Sequence, residues 1–504
     1  MNENIKLNIK KYEEIRQRLS MYYYFMNIVY WDSATVAPKM SYIQRGNNLG
    51  MLSEDLYKIR TGEEYTKTVD FLYENKDQLD PEFRHEIELI KEDIEQTKKI
   101  PMNELIEFEK LLNESQIVWE EAKNEKDFLK FKPYLQKIVE FRRKEAKYLE
   151  TDKLKGYDVL LNNYERGYTQ KEYDEFFGLL KEKLVPFVKK VCAANNNKLD
   201  LNKYEYDIEK QKELAKYMGD VLCFDFSRGT MGETEHPFTW NASTNDVRIT
   251  NHFYKNEFSS SLFSAIHEFG HALYEQNVDP KYNDTFISGG VSMAMHESQS
   301  RFYENIIGRN YNFWKNHYPK VKELYSEQLK DVSLDDFYKY VNNVELSFIR
   351  TEADELTYPL HIMLRYELER DLISGKLEVE SVEEAWNQKF KEYFGLDVPN
   401  ASLGILQDSH WSGGSIGYFP TYALGSAIAS QLYDKMNEEF DVEKSLDSSN
   451  TKQINEWLTN KIHKFGSSKY PKEILEEALD GKFDANHYIN YLKEKYSKIY
   501  NVDK

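Results

Sequence analysis

The spacing of apolar residues predicts a protein built almost entirely from helices. From Ile5 to about Val191, apolar side chains recur between charged ones with the three-to-four-residue period of amphipathic helices. The same period resumes near Asn256 and continues to the C-terminus, interrupted by glycine pairs at Gly289-Gly290 and Gly413-Gly414. Helix-forming sequence therefore surrounds one stretch of different character.

That stretch runs from Thr230 to Phe253 and is rich in residues that favour extended chain, including Trp240, Val247 and Ile249. The segment 242–245, Ala-Ser-Thr-Asn, is typical of a turn between two strands. The pattern predicts an all-α protein with one small antiparallel β-hairpin.

Composition agrees with a helical fold and suggests one continuous body. Gly and Pro supply only 22 and 12 of the 504 residues, against roughly 12% in average proteins. No linker or internal repeat separates parts of the chain, so we expect a single domain over 1–504. It would comprise a helical wall at 1–200, a chemically active region at 201–430 and C-terminal helices at 431–504.

Charge and apolar content exclude several classes of protein. A net charge of −19 without a basic cluster argues against a nucleic-acid partner. The richest apolar run, Met21 to Trp31, is too short to cross a membrane. The first twenty residues lack the apolar core of a signal peptide, and two cysteines cannot form a disulfide framework. We therefore expect a cytoplasmic protein with no membrane partner.

A candidate metal site lies at His267-Glu268-Phe269-Gly270-His271. His-Glu-x-x-His on a helix is a signature of zinc peptidases. Its two imidazoles lie one turn apart, opposite an apolar stripe that includes Phe269, and both can reach one zinc ion at about 2.0–2.1 Å. Glu268 would then act as general base toward a zinc-activated water. The alternative is an accidental match between ordinary, solvated helix residues.

A catalytic zinc ion usually takes three protein ligands, and the spacing leaves the third open. Glu297 follows His271 by 26 residues, after a glycine turn and at the start of a further helix. Glu275, one turn beyond His271, is the main rival, and Asp279 is a weaker candidate. A zinc ion is expected in either case, although such a ligand set would also accept cobalt.

Further blocks of sequence resemble the carboxypeptidase Taq family of zinc-dependent metallocarboxypeptidases. Besides the motif at 267–271, the matching blocks are His236–Phe238, Asp246–Thr250, His296–Gln299, Ile349–Asp354, Gly404–Trp411 and Gly417–Tyr422, with Trp31, Asp32, Thr35, Pro38 and Arg45 near the start. The resemblance implies a helical body with a deep groove between two walls, usually a homodimer. It also implies removal of single residues from peptide C-termini and zinc ligation by His267, His271 and Glu297.

A carboxypeptidase has to recognise a free C-terminal carboxylate, for which a guanidinium offers a matching fork of donors. Arg350 is the candidate. The alternative is a structural ion pair, since Glu345, Glu352 and Asp354 are near in sequence. Hydrolysis also needs donors for a developing oxyanion, and His410, Tyr418 and Tyr422 could supply them. However, the chain has 38 tyrosines, most of which must serve packing.

Three residues of the predicted hairpin, His236, Asp246 and Arg248, could help an extended strand to bind substrate backbone, or could simply brace the zinc helix. Ligating histidines usually donate their second N–H to a carboxylate or carbonyl. His296 and Asp354 are candidates for such support, with an ordinary buried ion pair as the alternative for each.

The sequence thus favours a metallocarboxypeptidase that acts on peptides. One alternative is a zinc oligopeptidase that cuts internally, because the metal chemistry would be identical. Another is a non-catalytic, peptide-binding scaffold with a structural zinc ion. Glu268 argues against the scaffold, because a structural site has no use for a free general base.

Overall fold

The computed structural model describes residues 2–197 and 199–504. Its α-helices are α1 (Glu3–Thr35), α2 (Tyr42–Thr61), α3 (Glu63–Glu74), α4 (Pro81–Lys99), α5 (Met102–Glu125), α6 (Phe128–Leu149), α7 (Tyr157–Asn162), α8 (Gln170–Lys183), α9 (Val185–Ala194), α10 (Ile208–Val221), α11 (Phe258–Gln276), α12 (Met293–Arg301), α13 (Tyr311–Leu324), α14 (Leu334–Val341), α15 (Tyr358–Ser374), α16 (Val382–Phe394), α17 (Pro420–Glu439), α18 (Val442–Ser445), α19 (Lys452–Lys461), α20 (Pro471–Leu479) and α21 (Asn486–Tyr500). The predicted helical fold is confirmed.

The β element is larger than the predicted hairpin. Its strands are β1 (Gly229–Glu233), β2 (Thr239–Ser243) and β3 (Asp246–Asn251), in the order β1-β3-β2. The hairpin of β2 and β3 is antiparallel, as expected, but β1 pairs with β3 in parallel. The sequence Gly-Thr-Met-Gly-Glu has little strand propensity, so β1 depends on pairing with β3 and was not visible in the residue pattern.

Apolar side chains form two separate clusters. The smaller cluster joins α1, α2, α3 and α4, and the larger one contains the buried apolar side chains of the remaining helices and of the sheet. Trp31 near the end of α1 packs against Phe238 and Trp240, which attaches the N-terminal helices to the sheet. Glu86 of α4 adds a second attachment by accepting a hydrogen bond from the backbone N–H of Phe286.

The apolar run at Met21–Trp31 lies inside α1. None of the helices in the described ranges combines the length and the apolar character that crossing a bilayer would require.

The start of α12 is fixed by a buried carboxylate. Ser292 caps this helix by accepting from the N–H of Met295, and its hydroxyl donates to Glu165. The second oxygen of Glu165 accepts the N–H of Ala294. These bonds satisfy N–H groups that the first turn of a helix otherwise leaves unpaired, and they hold α12 in place beside α11.

Candidate functional site

Glycines allow three helices to approach closely around the His-Glu-x-x-His motif. A Cβ atom on Gly270 of α11 would lie 2.6 Å from the Cα atom of Ser300 on α12. A Cβ atom on Gly425 of α17 would lie 2.6 Å from the Cβ atom of Glu297. Since real Cβ atoms essentially never come this close, only glycine permits this packing, which brings Glu297 against the face of α11 that carries both histidines.

His267, His271 and Glu297 meet in one place. Their candidate ligand atoms all lie within 4.8 Å of one another, the only such group of three found among the described residues. The Oε2 atom of Glu297 is 3.9 Å from Nε2 of His267 and 3.8 Å from Nε2 of His271. Two ligands bound tetrahedrally to zinc lie about 3.3 Å apart, so a small inward movement would suffice for the three to hold an ion.

A charged network orients the first histidine and the glutamate. The Nδ1 atom of His267 lies 2.8 Å from Oε2 of Glu304, so its N–H donates to this carboxylate and Nε2 is the atom that faces Glu297. Arg301 donates to Glu304 and also to Oε1 of Glu297. Burial opposes the ionisation of Glu304, but the neighbouring Arg301 holds the pKa of Glu304 well below the usual range. This carboxyl group is therefore an anion.

A second chain of hydrogen bonds orients the other histidine. Nδ1 of His271 lies 2.9 Å from Nδ1 of His296, and Nε2 of His296 lies 2.5 Å from Oε1 of Glu275. If Nε2 of His271 is to bind a metal ion, its Nδ1–H donates to Nδ1 of His296. The Nε2–H of His296 then donates to Glu275. Burial lowers the pKa of His271 well below its usual value, which favours this neutral form.

Glu275 and Asp279, the rivals of Glu297 in the sequence, make other contacts. The carboxylate of Glu275 accepts from His296, from the backbone N–H of Gly290 and from Asn241. Asp279 accepts from the N–H of Lys281 at the start of a short 3₁₀ turn. Neither belongs to the group of three that could hold an ion. The donor set of two imidazoles and one carboxylate suits zinc.

Glu268 lies beside this group and contacts the sheet. It is 6% exposed, and its Oε2 atom accepts a 2.6 Å hydrogen bond from the hydroxyl of Thr239 on β2. Burial raises the pKa of this carboxyl group, which makes it a stronger base than an exposed glutamate. Its position suits proton transfer next to the candidate metal centre.

Arg350 forms an ion pair, although with none of the carboxylates considered in the sequence. Its Nε and Nη2 atoms each lie 2.9 Å from Oδ1 of Asp408, and its Nη1 atom donates to the hydroxyl of Tyr358. Arg365 binds the other oxygen of Asp408. The guanidinium groups hold the pKa of Asp408 well below its usual range in spite of burial.

His410, Tyr418 and Tyr422 form a cluster beside Arg350. Nε2 of His410 is 3.0 Å from the hydroxyl of Tyr422, and the rings of Tyr418 and Tyr422 are 5.1 Å apart. The guanidinium of Arg350 lies 5.1 Å from the ring centre of Tyr422. Arg301, which contacts Glu297, stacks on Tyr358 at 4.3 Å. Aromatic side chains thus connect this cluster to the candidate metal centre.

The three hairpin residues are not in contact with the metal group. His236 is exposed, whereas Asp246 and Arg248 form a two-bond ion pair on β3. The guanidinium of Arg248 also packs against the rings of Trp31 and Trp240. Their predicted contact with substrate stays a prediction.

The two proposed supporting residues have different surroundings. His296 contacts His271, in agreement with the expectation. Asp354, in contrast, accepts from Thr357 and from the N–H groups of Glu345, Leu356 and Thr357. It therefore fixes a local turn, and the carboxylate that supports His267 is Glu304.

Sequence reasoning missed Thr239, Arg301, Glu304 and Tyr358. Arg301 and Glu304 follow Glu297 by four and seven residues, the spacing of one helical face, and this spacing could have identified them. The signal is complicated by the change from α12 to a π-helical segment at Phe302–Ile307. Thr239 and Tyr358 contact the site only through the tertiary fold.

Comparison with known proteins gives one consistent family. The model of the carboxypeptidase Taq (M32) metallopeptidase family matches residues 11–496. Carboxypeptidase 1 of Bacillus subtilis is 42% identical over 97% of this chain and 98% of its own length. Thermostable carboxypeptidase 1 of Pyrococcus furiosus is 35% identical, covering 98% and 99%. The crystal structure of an M32 carboxypeptidase from Deinococcus radiodurans superposes with a TM-score of 0.94 at 31% identity, over 98% of this chain and all of that one.

Proposed function

Since the chain belongs to the carboxypeptidase Taq (M32) family, it is a metallocarboxypeptidase, and we propose that it releases single residues from peptide C-termini with zinc held by His267, His271 and Glu297. The convergence of these three side chains carries the proposal. When bound there, zinc supplies Lewis-acid chemistry, which polarises a carbonyl and lowers the pKa of water.

Glu268 acts as the general base and then as the general acid. Its raised pKa suits a group that takes a proton from the attacking water and gives it to the departing amine. The hydroxyl of Thr239 holds the carboxylate in place by donating to one of its oxygens.

Arg350 binds the C-terminal carboxylate of the substrate. A guanidinium has five N–H donors, and Asp408 and Tyr358 together occupy three of them. One N–H on each terminal nitrogen remains for a substrate. Asp408 would therefore orient Arg350 without using the N–H donors that a substrate carboxylate needs. The ion pair and the anchoring role are thus compatible.

His410, Tyr418 and Tyr422 stabilise the oxyanion. Burial lowers the pKa of His410 to about 4, so its ring is neutral at neutral pH. Burial raises the pKa of Tyr418 to about 12 and that of Tyr422 well above its usual value, so both remain O–H donors. Neutral donors aimed at developing charge favour the transition state over the neutral substrate.

The substrate backbone pairs with β2. This strand lies at the edge of the sheet, and its outer side has no strand partner within the described ranges. Thr239 and Asn241 of β2 contact Glu268 and Glu275 on α11, so the edge runs beside the candidate metal centre. An edge strand offers free backbone groups to an extended peptide. Asp246 and Arg248 would support the strand from β3, and the exposed His236, three residues before β2, would contact the same peptide.

Digestion of a peptide with a blocked N-terminus tests this proposal. We expect a ladder of products that shorten by one C-terminal residue at a time. Interior fragments would instead identify an oligopeptidase. Glu268→Gln should keep its zinc and lose about 10²–10⁴-fold in rate. Unchanged activity of this variant would refute the role of Glu268, and full activity after removal of all metal would refute the metal mechanism.

We also propose that the protein is a homodimer in the cytoplasm. The N-terminal helices and the turn between them expose large apolar side chains, with Val36 77%, Met40 90%, Ile43 60% and Met51 68% exposed. Both cysteines are free thiols, in keeping with a reducing compartment. Analytical ultracentrifugation of the parent protein and of Met40→Lys would test the dimer. A parent that sediments as a monomer would contradict it.

A further inference from the structure

Glu369 of α15 connects the two ends of the loop between His410 and Tyr418. Its side chain is completely buried. Oε1 accepts the indole N–H of Trp411 at 2.7 Å, and Oε2 accepts the backbone N–H of Gly417 at 2.8 Å. Trp411 directly follows His410, and Gly417 directly precedes Tyr418. One carboxylate thus fixes the distance between the two positions from which the candidate oxyanion donors project.

This carboxylate has no cationic partner in the described part of the chain. Its third contact is the hydroxyl of Tyr157, which donates to Oε2 at 2.7 Å. The neighbouring Arg365 binds Asp408 instead. Burial without a counter-ion is costly and raises the pKa of Glu369 to about 7. A neutral or apolar side chain would fill this position at lower cost, so a requirement other than packing is indicated.

The loop itself is held closely against the helices around it. The carbonyl of Gly414 accepts from Nε of Arg142, and Ser415 donates its N–H to the carbonyl of His410. Gly417 has a φ of +98°, and a Cβ atom there would lie 2.9 Å from the backbone of Leu160. The loop therefore has one tightly determined conformation, with Glu369 at its base.

We propose that Glu369 is a positioning residue, which holds the loop 411–417 so that His410 and Tyr418 face the developing oxyanion. This inference rests on the proposed function, because it requires those two side chains to stabilise the transition state. Glu369 contacts neither substrate nor metal in this account and acts only through Trp411 and Gly417.

Substitution of Glu369 by glutamine tests whether both carboxylate oxygens are needed as acceptors. Glu369→Gln keeps the shape of the side chain but replaces one oxygen by an NH₂ group. Trp411 and Gly417 can only donate, so whichever way the amide is oriented, one of these N–H groups loses its acceptor. Tyr157→Phe is the matched control, since it removes the third contact and leaves both loop contacts intact. Trp411→Phe is a second test that removes one loop contact and does not change Glu369.

Steady-state kinetics on zinc-loaded variants then separate positioning from general stability. We expect Glu369→Gln and Trp411→Phe to lower kcat by about 10–100-fold, the range known for residues that orient metal ligands, with KM within about twofold and the zinc content unchanged. Tyr157→Phe should lower kcat by less than about threefold. Equal losses in all three variants, or no loss in Glu369→Gln, would overturn the proposal.

The double variant Glu369→Gln/His410→Ala distinguishes this inference from the function on which it rests. If Glu369 acts through His410 and Tyr418, adding Glu369→Gln to His410→Ala should lower kcat by a clearly smaller factor than it does in the parent protein, because only Tyr418 is then left to be displaced. Losses that multiply would overturn the positioning role. A fully active His410→Ala would show instead that the proposed oxyanion role is wrong, and the role of Glu369 would be overturned with it.

Discussion

Gly270 should be needed for tight metal binding, although its own atoms bind no metal ion. In Gly270→Ala the new Cβ atom would lie 2.6 Å from Cα of Ser300 and 2.8 Å from the carbonyl oxygen of Gln299. Ordinary contacts begin at 3.4 Å, and backbone atoms cannot rotate away. α11 and α12 would therefore have to separate by about 0.8 Å, which far exceeds the roughly 0.2 Å tolerance of metal–ligand distances.

This displacement should change both the free energy of folding and the affinity for zinc. Overpacking a well-filled core costs about 1–3 kcal/mol of folding free energy. Moving Glu297 away from both histidines should weaken zinc binding at least as much as the loss of a supporting residue, by about 10–100-fold. Zinc affinity is measured by competition with a chromophoric chelator, and the free energy of unfolding by urea denaturation of the metal-free protein.

Gly178→Ala provides the matched control. Gly178 lies within α8 and is exposed, with nothing within 4 Å of an added Cβ atom. Alanine there should stabilise the helix by about 0.5–1 kcal/mol and leave zinc affinity unchanged. If Gly270→Ala binds zinc as tightly as the parent protein, the helix separation does not determine Glu297 and the reasoning fails.

Three further predictions concern other parts of the molecule. His296→Ala should lower zinc affinity by about 10–100-fold, because the ring of His271 loses its acceptor; the chelator assay measures this. Arg350→Lys keeps a cation beside Asp408 but loses the fork of donors, so KM for peptides with a free C-terminus should rise about tenfold or more, while amidated peptides remain poor substrates. His317→Asn should reduce the pH dependence of stability between about pH 4 and 6.5, as measured by urea unfolding.

Burial of His317 determines the direction in which stability changes with pH. Burial lowers the pKa of His317 to about 4 in the folded protein, whereas the unfolded chain has the ordinary value of about 6.5. Between these values the unfolded state binds more protons, so the free energy of unfolding falls as the pH falls through this window. Asparagine retains an acceptor for the hydroxyl of Tyr217 but cannot titrate. An identical pH slope in variant and parent would contradict this account.

The sequence predicted the helical fold and the approximate place of the sheet, because both depend on local patterns. The β2–β3 hairpin has strong strand formers on both sides of a turn, and it was found. β1 was missed because its five residues become a strand only through pairing with β3, in which each partner lies 18 residues further along the chain. Contacts of that kind leave no periodic signal in a single sequence.

In the candidate site, too, residues close together in sequence could be predicted, whereas residues brought together by tertiary packing could not. His267 and His271 were found because one helical turn fixes their relation. Spacing alone left the third ligand open, since Glu275 and Glu297 both suit it, and only the family resemblance favoured Glu297. What separates them in the structure is packing, since Gly270 and Gly425 admit α12 against α11. The ion-pair partner of Arg350 was also missed, because Asp408 is 58 residues away.

The two glutamates illustrate why residue type alone could not assign a role. Glu275 and Glu297 are both buried carboxylates near His271, and either could bind a metal ion in isolation. The oxygens of Glu275 accept from His296, Gly290 and Asn241, whereas Oε2 of Glu297 faces the two free Nε2 atoms. A carboxylate that is already surrounded by donors loses those bonds if it turns to a metal ion. The hydrogen bonds of the fold therefore favour Glu297 as the ligand and leave Glu275 to orient His296.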